Sequence, residues 1–264
     1  MSNIILEKED GVWLLTINRE NKMNSLDFES HYELVEIWKD FSKDPSAKVG
    51  VITGAGEKAF CAGADLKTYT MDFASRKPNE FRDKFVNGYG LGGITRGLDI
   101  DKPLIAAING YAVSGGLEIA LACDLRFCSE NAKFGLQDVK WGFHACDGAL
   151  VRLPNIVGMG ATMELVLSGE LINAEHAYRI NLVNRIYPKT DLLKKTMEYA
   201  HLLGKRAPLA IKFAKQTLRN TISMSIEDAL KQEVRSFYDL GQSEDLLEGT
   251  QAFSERRDAR FQGK

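Results

Sequence analysis

The chain has 264 residues, 44% of them apolar, enough for one large domain or a domain with an appended lobe. Its 34 Lys and Arg against 36 Asp and Glu give a net charge of −2, and no basic cluster stands outside the C-terminus, which argues against a nucleic-acid binder. The first ten residues are charged where a signal peptide needs an apolar core, and no apolar stretch reads as long enough to span a bilayer, so a cytoplasmic protein is expected.

The opening runs Ile4–Lys8 and Val12–Asn18, separated by Asp10-Gly11, predict a hairpin. An amphipathic helix is expected from about Leu26 to Phe41, with Ser25 as N-cap and Leu34, Val35, Ile37, Trp38 and Phe41 on one side. The apolar run Val49–Thr53 then completes a β-α-β pattern. Residues 71–93 are polar and charge-mixed, and read as a helix-loop segment shaping a pocket mouth. From Pro103 the pattern becomes regular: strand Leu104–Ile108, a glycine turn, an apolar helix from Glu118 to Cys123, then short strands at Leu125–Cys128 and Lys133–Gly135. That spacing suits a parallel α/β layer. After Ile186 the tail reads as helices at about 191–206, 209–223, 225–240 and 243–261. The chain thus divides into an α/β core, residues 1–190, and a helical lobe, residues 191–264. The lobe's Leu230, Val234, Phe237, Tyr238 and Leu240 exceed what one short helix hides, which predicts packing against another subunit.

Two glycine-bearing stretches, Ala59–Lys67 and Gly110–Glu118, each follow a run that reads as a buried strand. Small residues at such turns leave main-chain amides bare, and two N–H groups converging from two strand ends suit a developing oxyanion. Acyl chemistry is the first expectation. Gly54–Ala59 spells G-x-G-x-x-A, but Phe60-Cys61-Ala62-Gly63 interrupts the helix that nicotinamide binding requires. Ala112-Val113-Ser114-Gly115-Gly116 approaches a nucleophile elbow. It lacks the first glycine, and a Ser114 nucleophile would need His144, His176 or His201 as its base.

Glu118 opens an otherwise apolar helix three residues past Gly115. A buried carboxylate costs free energy unless paired or protonated, so a functional reading is preferred to a mere helix-start acid. Asp138 follows a short strand and is placed to face Glu118 across a pocket; alone it would count as a solvated loop acid. Two carboxylates in different environments can divide acid and base work. Asp147 reads as the N-cap of the helix after it. Lys67, Arg256, Arg257 and Lys264 offer cations to a phosphate-bearing ligand. The four cysteines lack paired C-x-x-C spacing, so reduced thiols and no metal site are expected.

On these residues the chain resembles the crotonase family, the enoyl-CoA hydratases and isomerases, over nearly its full length. Ala59–Lys67 is similar to the family's A-F-x-A-G-A-D-[LI]-K block, and Ile105–Leu125 to its glycine-rich signature. Leu167-Ser168-Gly169 with Ala174, Ala177, Leu182 and Val183 matches a later pattern, and Ala252–Arg257 the final helix. The resemblance implies an α/β spiral of repeated β-β-α turns with a C-terminal helical trimerisation lobe, assembled as a homotrimer or a dimer of trimers. It implies a place in fatty acid metabolism and an acyl-CoA lyase that reversibly hydrates a 2-enoyl-CoA. The Ala64 and Gly115 amides would form the oxyanion hole, and Ala62, Ala64, Asp65, Leu66 and Lys67 would hold coenzyme A. Glu118 would deprotonate water and Asp138 would deliver a proton to the α carbon. Coenzyme A enters as part of the substrate, with no separate cofactor.

Three departures stand out. Asp138 replaces the family's usual glutamate, shortening its reach by roughly 1.5 Å. Ser114 replaces glycine or alanine. The segment Lys140–Asp147 replaces a typically aliphatic loop, so Trp141, Phe143 and Asp147 are expected at the acyl pocket, where the two aromatic rings either line a wide slot or fill core. An isomerase or CoA-thioester hydrolase of the same family, a serine hydrolase using Ser114, and a non-catalytic CoA-binding oligomer are the alternatives.

Overall fold

The computed structural model describes residues 2–264. Its strands are β1 (Ile4–Glu9), β2 (Val12–Ile17), β3 (Val49–Gly54), β4 (Ala59–Cys61), β5 (Leu104–Ile108), β6 (Tyr111–Val113), β7 (Leu125–Ser129), β8 (Lys133–Gly135), β9 (Ile172–Asn173) and β10 (Arg185–Tyr187). The helices are α1 (Phe28–Lys43), α2 (Leu66–Ser75), α3 (Pro78–Phe81), α4 (Gly115–Ala122), α5 (Ala149–Ser168), α6 (Ala174–Arg179), α7 (Leu192–Gly204), α8 (Pro208–Thr221), α9 (Ile226–Leu240) and α10 (Glu244–Glu255).

One sheet runs β1-β2-β3-β5-β7-β10 and a second β4-β6-β8-β9. The hairpin β1-β2 and the pair β8-β9 are antiparallel; the other pairings are parallel. In three successive passes, β3-β4, β5-β6 and β7-β8, the chain lays one strand in the large sheet and the next in the small one before a helix or turn carries it back. That is the β-β-α spiral. Both faces of the large sheet are covered, which is why β3 and β5 are buried throughout rather than alternating. Side-chain alternation still divides the core. Val12, Leu14, Val49, Val51, Ile105, Ala107 and Phe127 pack on Leu192 and Ala200 of α7. Leu15, Ile17, Ile52, Ala106 and Ile108 point the other way, toward α1, α4 and the small sheet.

Several expected boundaries move. Ser25 does not cap α1: Leu26 is held extended by bonds to Gly63 and Asp65, so the helix starts at Phe28 and the Asp27 carboxylate accepts from Ser30 N at 2.9 Å. The last helix ends at Glu255 rather than 261, where Arg256 turns left-handed (φ 55°), and the tail folds back so that Asp245 accepts from Gln262 N and Gly263 N. Helix α5 is by length and composition apolar enough to cross a membrane, contrary to the sequence reading. Gly158, with φ 79° and ψ 162°, breaks it into two pieces, neither near the roughly 20 residues a span needs.

Candidate active site

The two glycine turns meet. Gly63 sits left-handed at φ 92°, and a Cβ built on it would lie 2.9 Å from Gly115 N; one on Gly115 would lie 3.4 Å from Ala64 N. Two main-chain amides therefore stand side by side. The parallel bridge between Leu26 and Ala64 engages the neighbours, Leu26 N donating to Gly63 O at 2.8 Å and Asp65 N to Leu26 O at 2.7 Å. A parallel ladder spends alternate residues' groups on each side, so the Ala64 N–H faces away from Leu26. Neither Ala64 N nor Gly115 N donates to an acceptor among the described residues. Gly115 also opens α4, whose N-terminal dipole favours negative charge at the same point.

Two asparagines that the sequence reading passed over hold this geometry. Asn24 donates to Ala55 O and Ala59 O, and Asn109 to Gly54 O and Gly56 O, tying down the turn that leads into β4 and on to Ala64.

Glu118, one turn into α4, is 2% exposed. Its Oε1 accepts from Asp147 N at 2.7 Å and Ala149 N at 3.0 Å. Burial pushes its carboxyl up to about 7; the charges of Asp147 and Asp138 add to the rise, and the two amides oppose it. Asp138 lies in the turn Gln137–Trp141, 5% exposed, and its Oδ2 has no partner. Burial raises its pKa, with the Ser114 hydroxyl and the charge of His144 pulling the other way. Two of the three departures from the family pattern, Ser114 and Asp138, thus stand beside each other. Ser114 itself is held at φ 50°, ψ −123°, a conformation that L residues rarely adopt, with its N donating to Gly135 O at 2.9 Å.

No imidazole bonds Ser114 among the described residues: His144 Nδ1 is engaged by Ala145 O, His176 stands on α6 and His201 pairs with Glu9. Asp147 does not cap α5. Gly148 takes that position at φ 113°, Glu118 satisfies the first helical amide, and the Asp147 carboxylate instead accepts from Leu91 N at 3.1 Å, Thr95 Oγ1 at 3.2 Å and Arg96 Nη1 at 3.3 Å. Trp141 and Phe143 are 70% and 44% exposed, so they do not fill core; they form an outer rim of the segment that ends at Asp147. In the stretch Ala62–Lys67, Ala62, Ala64 and Asp65 are half-buried and Leu66 and Lys67 exposed. Asp65 caps α2 through Lys67 N at 3.1 Å. Arg257, a candidate for phosphate, is engaged by Glu248 and Glu255. Among the described residues no group of three or more His, Cys, Asp or Glu side chains is arranged to hold a metal ion.

Two bare amides beside two buried acids of raised pKa are an arrangement suited to stabilising an enolate and moving protons at its carbons. Residues 7–264 match the family model "Enoyl-CoA hydratase/isomerase". The chain is 40% identical over 260 residues to (E)-benzylidenesuccinyl-CoA hydratase of Thauera aromatica, covering 98% of this chain and 99% of that protein. It is 36% identical over 263 residues to carnitinyl-CoA dehydratase of Escherichia coli K12, covering 98% of each. The crystal structure of an enoyl-CoA hydratase from Bacillus anthracis superposes with a TM-score of 0.89 at 32% identity over the whole of both chains. The chain belongs to the enoyl-CoA hydratase/isomerase family, the crotonases, and is a hydratase-like enzyme of CoA thioesters.

Proposed function

We propose that the protein adds water reversibly across the 2,3 double bond of an enoyl-CoA. The observation that carries this reading is the pair of unengaged amides, Ala64 N and Gly115 N, set beside the buried Glu118 carboxylate. The thioester oxygen sits between the two N–H groups. Glu118, its Oε1 fixed by two amides, takes a proton from water on its other oxygen as the water oxygen bonds the β carbon. The π electrons move onto the carbonyl oxygen. Asp138, whose pKa burial raises, then gives a proton to the α carbon as the enolate collapses, and transfer of a proton from Glu118 back to Asp138 closes the cycle. The Ser114 hydroxyl holds the shorter Asp138 side chain in place. Ala62–Lys67 receive the coenzyme, Lys67 near its phosphates, and no further cofactor is needed.

Incubation with crotonyl-CoA and a panel of longer and cyclic enoyl-CoA thioesters, followed by absorbance and mass, tests the reading: a gain of one water is expected, and no mass change with any of them defeats it. The base must be ionised to act. The acid must at the same time hold its proton, so the rate of hydration is expected to follow a bell in pH with one limb near 7, the value to which burial brings Glu118. A flat profile between pH 5.5 and 8.5 would remove Glu118 from the rate law.

The assembly we propose is a trimer or a dimer of trimers in the cytoplasm, supported by the unpartnered apolar side chains Ile226, Leu230, Val234 and Phe237 on α9, Leu218 on α8 and Ile222 just past its end. Sedimentation is expected to give three or six times the single-chain mass of 29.4 kDa, and a monomer would contradict it.

A further inference from the structure

Outside the pair of acids, three polar atoms around Asp147 are buried without partners: His31 Nδ1, Tyr69 Oη and Arg96 Nε. They come from three separate segments, α1, α2 and the loop after residue 90, which converge on Asp147. Arg96 bonds the Asp147 carboxylate at 3.3 Å, and both His31 and Tyr69 lie within reach of its charge. Tyr69 stacks on Phe28 with ring centroids 4.3 Å apart, and Phe28 stands one helical turn before His31. Asp147 in turn donates its amide to Glu118, and Tyr69 lies one turn into the helix that begins just after Ala64. The cluster is therefore tied to Glu118 through Asp147 and to the Ala64 turn through α2.

His31 and Tyr69 are 7% and 5% exposed. A buried polar atom left unpaired costs about 1–3 kcal/mol, so the Tyr69 hydroxyl and the Arg96 Nε–H, with His31 Nδ1 in the tautomer that donates, point to an acceptor that arrives with the ligand. We infer that the acyl group carries a carboxylate at its far end, received by Tyr69 Oη, Arg96 Nε and His31 Nδ1. This rests on the hydratase reading above.

The sign follows from the neighbours. The acids close by are already engaged: Asp147 by Leu91, Thr95 and Arg96, Asp72 by Arg76 and Lys84, and Asp27 by Arg19. The aromatic face that would attract a cationic acyl group is taken by Lys84, whose Nζ lies 3.8 Å from the Phe28 ring centroid. A second cation would meet Lys84 and Arg96; a carboxylate meets donors. A plain alkyl chain would leave all three donors unmade.

The test compares hexanoyl-CoA, its ω-carboxylate analogue adipyl-CoA and an ω-trimethylammonium analogue by calorimetry, together with hydration of the matching 2-enoyl forms. Wild-type protein is expected to bind adipyl-CoA at least tenfold more tightly than hexanoyl-CoA and to show the same preference in kcat/KM. Tyr69→Phe, which removes one oxygen at constant shape, is expected to cut the carboxylate-to-alkyl ratio by about tenfold or more. Equal binding of the acids and alkyl forms, a preference for the trimethylammonium form, or a ratio unmoved by Tyr69→Phe would each overturn the inference. A binding preference that survives with no enoyl form hydrated would sink the hydratase reading and leave the carboxylate site standing.

Discussion

Replacing Glu118 with glutamine is expected to lower kcat for hydration by about 10²–10⁴-fold, the range of a positioned general base, while binding of a saturated acyl-CoA changes by less than a few fold. The geometry makes this a clean substitution. Glutamine Oε1 still accepts from the amides of Asp147 and Ala149, so the start of α5 keeps its partners and only the ionisable oxygen is lost. The inflection near pH 7 should vanish with the carboxyl. Stability should move the opposite way. The folded protein holds the Glu118 proton to about pH 7, whereas the unfolded chain releases it near the ordinary value of 4.5, so this group's contribution to stability falls as pH rises through that window. The penalty above pH 7 is roughly 3 kcal/mol at about 1.4 kcal/mol per unit. E118Q is therefore expected to melt higher than wild type at pH 8 and to gain little at pH 4, read by thermal unfolding at both. Unchanged turnover would show that another group deprotonates the water.

Gly63→Ala is expected to cost about 10²–10³-fold in kcat, the penalty of losing one oxyanion donor. The added methyl would stand 2.9 Å from Gly115 N and 3.3 Å from Val113 O, between the two amides, at a residue whose φ of 92° already disfavours any side chain. Backbone lines the space on both sides, so no flexible side chain can swing away. Binding of the coenzyme portion is expected to survive, since Ala62 and Lys67 lie outside the pinch. Full activity in a folded G63A protein would place the thioester oxygen elsewhere.

Much of this arrangement is legible in the sequence because its strongest signals are local. Val49–Gly54 and Leu104–Ile108 are unbroken apolar runs because the sheet is covered on both faces, and each is followed within a few residues by the glycines that bare an amide. Glu118 announces itself as an acid in an apolar helix. Of the small sheet only β8 is legible, expected and found at Lys133–Gly135; β4 and β6 have three residues each and β9 two, too short for a period-two pattern to declare itself. Nor is the work of Asp147: a residue ahead of a helix looks like a cap, and only the fold brings Leu91, Thr95 and Arg96 to its carboxylate. The cluster of His31, Tyr69 and Arg96 is hidden for the same reason, its members sharing no motif and no spacing.

Because one oxygen of Glu118 pins the amides of residues 147 and 149, the rim of residues 141–146 is stapled at its far end to that buried carboxylate. Trp141 and Phe143, standing out from that rim, are free to vary in shape without loosening the staple. The two rings thus stand on one side of a fixed pin and the carboxylate on the other, so a change of ring shape is expected to leave the Glu118 anchor in place.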